Sequence, residues 1–430
     1  MKKIINCIGG FVILNIAMIV LLACSYLVPQ KAVYKNLEES LEIIKSEGLY
    51  YNSINFDGTF FYDNYTDLLI LSTVLVKPEE NIFQSAIDNN VSKLGIEQYI
   101  PLEGLEELLV DGSQYAEYPN YWVFLVAPLK ILFTIFNVGE IRLLFLVAGL
   151  ILDGIIIYQL NKKINIFAAV GFGVMLVGGG LITNIMCLAY STDIFLCMLG
   201  ILFVLLTYEK DKEWLFSNEK IVFFFLGMFC FMFNYWSMPI LTLCGPLIVL
   251  IMLRSVKENE SDCNIKAIIC NSFFWGVGLC MEVGVKILTT MIFGKGDTII
   301  EHLHWYMVSG KVGEQKSLLE SFNLPERVWT AYLSLAKYFT WINRVIFVVV
   351  MICLCVCLFR GGKRIFNRGN ILRMLEFFVI GLIPLLWIAL MYGHAFHGFD
   401  RLQICMSSFA VTSAFAVCIN NQGLGIKEEI

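Results

Sequence analysis

Tyr121-Trp122-Val123-Phe124-Leu125-Val126-Ala127-Pro128-Leu129-Lys130-Ile131-Leu132-Phe133-Thr134-Ile135-Phe136 is the stretch that decides how this chain is threaded. It is apolar, but its sixteen residues fall short of the roughly twenty that a helix needs to cross a hydrocarbon core, and Pro128 and Lys130 interrupt it. The basic residues downstream decide whether it crosses. If it does not, Lys162-Lys163, then Lys210, Lys212 and Lys220, then Arg254, Lys257 and Lys266, then Arg360, Lys363, Arg364, Arg368 and Arg373 all fall on the cytoplasmic side. The short exterior connections then keep almost nothing basic except Arg401. If it crosses, every cluster flips outward, against the retention of Lys and Arg in the cytoplasm. The stretch is therefore expected as an interfacial helix on the outer leaflet.

Working outward, the 430 residues are 58% hydrophobic and only 16% charged, with a mean hydropathy of +0.72. Soluble domains carry roughly a quarter charged residues, so an all-α polytopic membrane protein is expected, as a single domain over 1–430. Lys2-Lys3 before an apolar run near 8–28 implies an uncleaved anchor whose N-terminus is cytoplasmic. Further spans are expected near 140–160, 164–182, 192–208, 221–235, 238–253, 267–293, 344–359, 373–393 and 402–419. That makes ten, with both termini cytoplasmic. A first exterior loop at 29–139 and a second at 294–343 follow from it, and neither contains any of the fourteen cysteines. In the first loop Leu37, Leu41 and Ile44 share a helical face, and Phe83–Ile87 and Leu102–Leu109 suggest two more short helices. A net charge of −5 points to no nucleic-acid partner.

Several constellations could carry chemistry on the exterior side. Phe56-Asp57-Gly58-Thr59-Phe60-Phe61-Tyr62-Asp63-Asn64-Tyr65-Thr66-Asp67 holds three carboxylates that suit a general base, or a divalent cation that neutralises phosphate. The plainer reading makes Asp63 or Asn64 a helix cap ahead of Leu68, Leu69 and Leu71. His394-Ala395-Phe396-His397-Gly398-Phe399-Asp400-Arg401 gathers two of the four histidines beside an arginine, a set suited to a phosphate headgroup. His302 and His304 lack a third ligand, so an aromatic belt around Trp305 and Tyr306 is expected there rather than a metal. Asp193, after Tyr190-Ser191-Thr192, is a candidate second carboxylate or another helix cap. Within the spans, Glu282 and Lys286 are spaced to neutralise each other, and Asp153 has no evident partner.

The order of these elements resembles the GT-C superfamily of integral-membrane glycosyltransferases. It is most similar to the branch of protein O-mannosyltransferases and lipid A aminoarabinose transferases. The features that carry the likeness are Asp63-Asn64-Tyr65-Thr66-Asp67, Tyr121-Trp122 opening the interfacial helix and Phe136-Asn137-Val138-Gly139-Glu140-Ile141-Arg142. Asn161-Lys162-Lys163, Tyr190-Ser191-Thr192-Asp193 and the late His-x-x-His-x-Phe-x-Arg run at His394–Arg401 complete it. It covers roughly residues 1–210 plus that late run, and departs from the family at Asn64, where a second carboxylate is usual. The resemblance implies transfer of a sugar from a polyprenyl-phosphate donor to a glycan, lipid or protein acceptor at the outer face of the cytoplasmic membrane. Asp63 would be the base, with Asp67 or Asp57 as substitutes. Arg401, His394, His397 and Arg142 would hold the departing phosphate, and Tyr62, Tyr65, Trp122 and Trp305 would line the groove. The alternatives are a lipid-linked-saccharide flippase working through Asp153, Glu282 and Lys286, or a non-catalytic partner in envelope assembly.

Overall fold

A computed structural model describes residues 2–52, 61–76, 81–233, 235–257, 263–294, 299–300, 324–338, 368–391 and 400–420. The helices that form the bundle are α1 (Lys2–Ser25), α8 (Val138–Lys163), α9 (Ile166–Gly178), the short α10 (Leu181–Asn184), α11 (Leu188–Phe233), α12 (Ile240–Lys257) and α13 (Ile265–Ile292). Three more come late: α14 (Leu324–Tyr338), α15 (Arg368–Leu390) and α17 (Cys405–Asn420), with the short α16 (Asp400–Gln403) between the last two. Among the described residues, five helices are long and apolar enough to cross a membrane, namely Ile5–Ser25, Val138–Lys163, Leu188–Phe233, Ile265–Ile292 and Arg368–Leu390. Their outward residues, such as Ile13, Leu150, Ile151 and Phe273, are exposed and apolar, as lipid contact requires.

The 46-residue α11 is two helices joined at Asp211, whose φ of −157° and ψ of 85° are extended. Gly200 and Leu226 would stand roughly 39 Å apart along a straight helix. Instead a Cβ on Gly200 would lie 3.2 Å from the Leu226 side chain, and the Phe203 and Trp214 rings are 6.5 Å apart. The segment is a hairpin, which agrees with separate expected spans at 192–208 and 221–235. The apolar helices α9, α12 and α17 are shorter. In α9 and α17 the chain runs antiparallel, since Asn165 bonds the Ala416 carbonyl at 2.8 Å while Gly179 abuts Cys405.

The bundle has two unlike ends. At one, Lys162 and Lys163 grip Glu209, Arg254 grips Glu219, Lys3 reaches Asn218, and Glu376 holds both Arg373 and the Asn264 backbone. At the other sits a cap formed by residues 30–132. It comprises α2 (Gln30–Glu47), β1 (Tyr50–Asn52), β2 (Phe61–Asp63), α3 (Asn64–Leu75), α4 (Ile82–Asp88) and β3 (Val91–Ser92), then α5 (Lys93–Glu97), α6 (Pro101–Val110), β4 (Tyr115–Ala116) and α7 (Val126–Leu132). Helix α3 is the centre of this cap, with Leu68 to Leu75 all buried. The α2 stripe of Leu37, Leu41 and Ile44 packs inward as its spacing implies.

One expectation changes here. The helix within 121–136 is only the seven residues of α7, and its Lys130 is buried rather than turned to water. Lys130 donates to the Val74 carbonyl at 2.7 Å and lies 4.4 Å from the centre of the Tyr26 ring. Residues 121–132 thus bind α3 and α1 together instead of resting as one long interfacial helix. The span expected at 344–359 lies outside the described residues.

Candidate functional site

The antiparallel pairing of β1 with β2 sets Tyr50 opposite Asp63 and delivers Asp63 to the start of α3. There the carboxylate accepts from the Thr66 backbone N–H at 3.2 Å and from the Thr66 hydroxyl. The plainer expectation for Asp63, a helix cap, is therefore met in the structure. Asp63 is 2% exposed. Asp57 lies in the stretch 53–60 between the two strands, outside the described residues.

One turn on, Asp67 is fully buried and ringed by donors. Arg142 Nη2 reaches it at 3.1 Å, the Ala189 N–H at 2.9 Å and the Leu188 N–H at 3.3 Å. The two backbone groups belong to the first turn of α11, where the positive end of the helix favours a carboxylate. Burial pushes the Asp67 pKa up, against the pull of Arg142 and these N–H groups.

Arg142 comes from the first turns of α8, whose start is fixed by a capping box between Asn137 and Glu140 and by Ser40, which accepts the Val138 N–H. Its guanidinium takes Glu47 at 2.8 and 3.0 Å, Asn64 Oδ1 at 2.7 Å and Asp67, and it stacks on the Tyr62 ring at 4.7 Å. An asparagine rather than a carboxylate at position 64 has a physical reason in this setting. Its amide donates to Glu47 and to the Gly48 carbonyl at 3.0 and 2.7 Å while accepting from Arg142. A carboxylate at 64 would lose both donations and set a third negative charge around one guanidinium.

Asp193 lies inside α11 and does not cap it; its carboxylate accepts the Met238 N–H at 2.6 Å and so fixes the link between α11 and α12. Hydrogen bonds thus join Asp67, Arg142 and the start of α11, with Asp63 and Asp193 each about a turn away along α3 and α11. Glu47, missed in the sequence, completes the Arg142 cluster; its place at the end of an amphipathic helix gave no signal.

Of the other candidates, His394 and His397 fall outside the described residues, as do His302, His304 and Trp305. For Arg401 only the backbone, in α16, is described. Tyr65 spends its hydroxyl on the Gly95 carbonyl at 3.1 Å. Glu282 and Lys286 form no ion pair with each other. Glu282 takes Asn15 at 3.0 Å, whereas Lys286 donates to the Ile87 carbonyl at 2.7 Å and sits 4.1 Å from the centre of the Trp122 ring. Asp153 is buried with one oxygen unbonded. Among the described residues no three His, Cys, Asp or Glu side chains gather as a metal site. Comparison with protein-family models, curated proteins and solved structures returns no match to this chain.

Proposed function

We propose that this multi-pass helical protein is a glycosyltransferase. It would use a polyprenyl-phosphate-linked sugar at the cap end of the bundle, which we take as the outer face of the cytoplasmic membrane. The observation that carries this reading is the meeting of Asp67, Arg142 and the start of α11 where cap joins bundle, at the end opposite the lysine and arginine clusters. Asp67 is surrounded by donors and acts as a positioning residue. Asp63, with a lone pair to exchange from Thr66 to an acceptor hydroxyl, is the base. In the step it takes the hydroxyl proton while the acceptor oxygen bonds the anomeric carbon. The carbon–oxygen bond to phosphate breaks, and polyprenyl phosphate leaves with the electron pair through an oxocarbenium-like transition state.

Asp63→Asn tests this cleanly, because Asn caps a helix as well as Asp does but accepts no proton. The purified protein in liposomes, given a radiolabelled polyprenyl-phosphate hexose and an envelope extract as acceptor, should transfer label. The variant should lose about 10²- to 10⁴-fold in rate with an unchanged melting temperature. Transfer by Asp63→Asn at the wild-type rate removes Asp63 from the role; no transfer by the wild-type protein removes the enzyme.

A further inference from the structure

Helix α14 is divided along its length into three strips. Arg327 and Ala331, one turn apart, are buried, and here the helix packs against α15 and the short α16. Glu326, exposed, and Thr330, half-buried, form a polar strip beside them. Leu324, Val328, Trp329, Tyr332 and Leu333 occupy the remaining half of the circumference, and all five are exposed. The Trp329 and Tyr332 rings stack on this outer side with centroids 5.2 Å apart.

Arg327 fixes the height of this helix. Its guanidinium donates to the Ala389 and Leu390 carbonyls at 3.1 and 3.0 Å. They belong to the last turn of α15, where carbonyls lack partners within the helix and a cation is favoured. Helix α15 begins at the basic end of the bundle, where Arg373 pairs with Glu376. From Arg373 to Leu390 is about 26 Å along a helix, close to the ~30 Å of a hydrocarbon core. The two carbonyls therefore mark the opposite boundary of the bilayer. Helix α16 gives the same level, because its Gln403 accepts the Ile240 N–H that opens α12, at the end away from the Arg254–Glu219 pair. Exposed Leu386 and Leu390 carry the apolar surface of α15 up to this turn.

We propose that α14 lies along the membrane surface at the cap end of the bundle, its exposed apolar face sunk among the lipids where headgroups meet acyl chains. At fifteen residues, with Glu326 and Arg327 near its start, it is too short and too polar to cross. A helix with an apolar arc beside a polar strip settles roughly 5–10 Å into that boundary. Trp329 and Tyr332 suit it, since each joins an apolar ring to a polar tip. Continuity with Leu386 and Leu390 on a spanning helix favours lipid over a second protein chain. Among the described side chains, the exposed strips of α14 carry Glu326 and no cation, so uncharged lipid suffices and anionic lipid adds nothing. No residue of the transfer site takes part, and the inference is independent of sugar transfer.

The test is fluorescence quenching of the full-length protein in phosphatidylcholine liposomes whose acyl chains carry bromine, either close to the headgroup or close to the chain ends. Trp329 is one of eight tryptophans, so its emission is read as the difference between the wild-type protein and Trp329→Phe, a change at an exposed ring that leaves the core untouched. The emission due to Trp329 should be lost to the shallow bromines, and less to the deep ones. Tyr332→Trp, which adds an indole to the same face, reads the same boundary should Trp329→Phe fold poorly. No loss with either lipid means that water or protein, a second copy of the chain included, covers the face, and overturns the proposal. A loss to the deep bromines as large as that to the shallow ones, or larger, overturns the placement at the boundary.

Discussion

Lys130 shows how one buried side chain can tune the whole cap. It closes the C-terminal end of α3 through the Val74 carbonyl and rests on Tyr26, a favourable place for a cation at a helix end. Burial nevertheless pulls its pKa down to about 7. A lysine whose folded pKa is depressed favours the folded state most above its unfolded value, near 10.4, and that contribution is lost as pH falls through about 7. Lys130→Met removes the titration. The stability of the wild-type protein relative to Lys130→Met should therefore rise between pH 7 and pH 9, by about 2 kcal/mol at one proton per folding event. Melting temperatures of both proteins across that range check it; a difference independent of pH refutes it. The Asp63 cap was legible in the sequence because capping is local: carboxylate, two residues, Thr66. Of the Arg142 cluster, Asn64, Asp67 and Arg142 were legible only singly and Glu47 not at all, because Arg142 lies 75 to 95 residues from its partners and nothing local marks a long-range ion pair.

Among the elements, the tightest meeting is between the second half of α11 and α13. A Cβ on Gly227 would stand 1.9 Å from the Trp275 carbonyl oxygen, and one on Gly278 would stand 1.9 Å from that of Phe224. The two backbones touch at reciprocal glycines, the device by which membrane helices pack closely when lipid offers no hydrophobic drive. Gly278→Ala should force the pair apart and cost about 1–3 kcal/mol, visible as a lower melting temperature and poorer monodispersity in detergent. Gly276→Ala, two residues away with nothing within 4 Å, is the matched control and should behave as wild type; equal effects from both would dismiss the close-packing account. Helix existence was readable from apolar run lengths, and α8, α12, α13, α15 and α17 fall within a few residues of expectation. The 121–136 stretch was harder. Its run of apolar residues is long, but Pro128 limits the helix, and burial against α1 and α3 accounts for Val126 and Leu129 while Ile131 and Ile135 stay exposed.

At the scale of the molecule, the sidedness of charge predicts orientation. Cys263 is exposed next to Asn264, which Glu376 holds at the basic end, and Ser113 is exposed on the cap. If the basic end is cytoplasmic, a membrane-impermeant maleimide should label Cys263 only after permeabilisation. A Ser113→Cys variant should gain a site labelled in intact cells, and the reverse pattern would invert the topology. The junction between cap and bundle has one more consequence, in the order of synthesis. Asp67 is made about 75 residues before Arg142 and about 120 before the Leu188 and Ala189 amides that hold it. At about 5–20 residues per second, the acid at the heart of the cap waits on the order of ten seconds for its partners. Until the start of α11 has been made, Arg142 is the only one of these three donors available to Asp67, and a chain released before that point leaves the acid without the helix start that holds its other side.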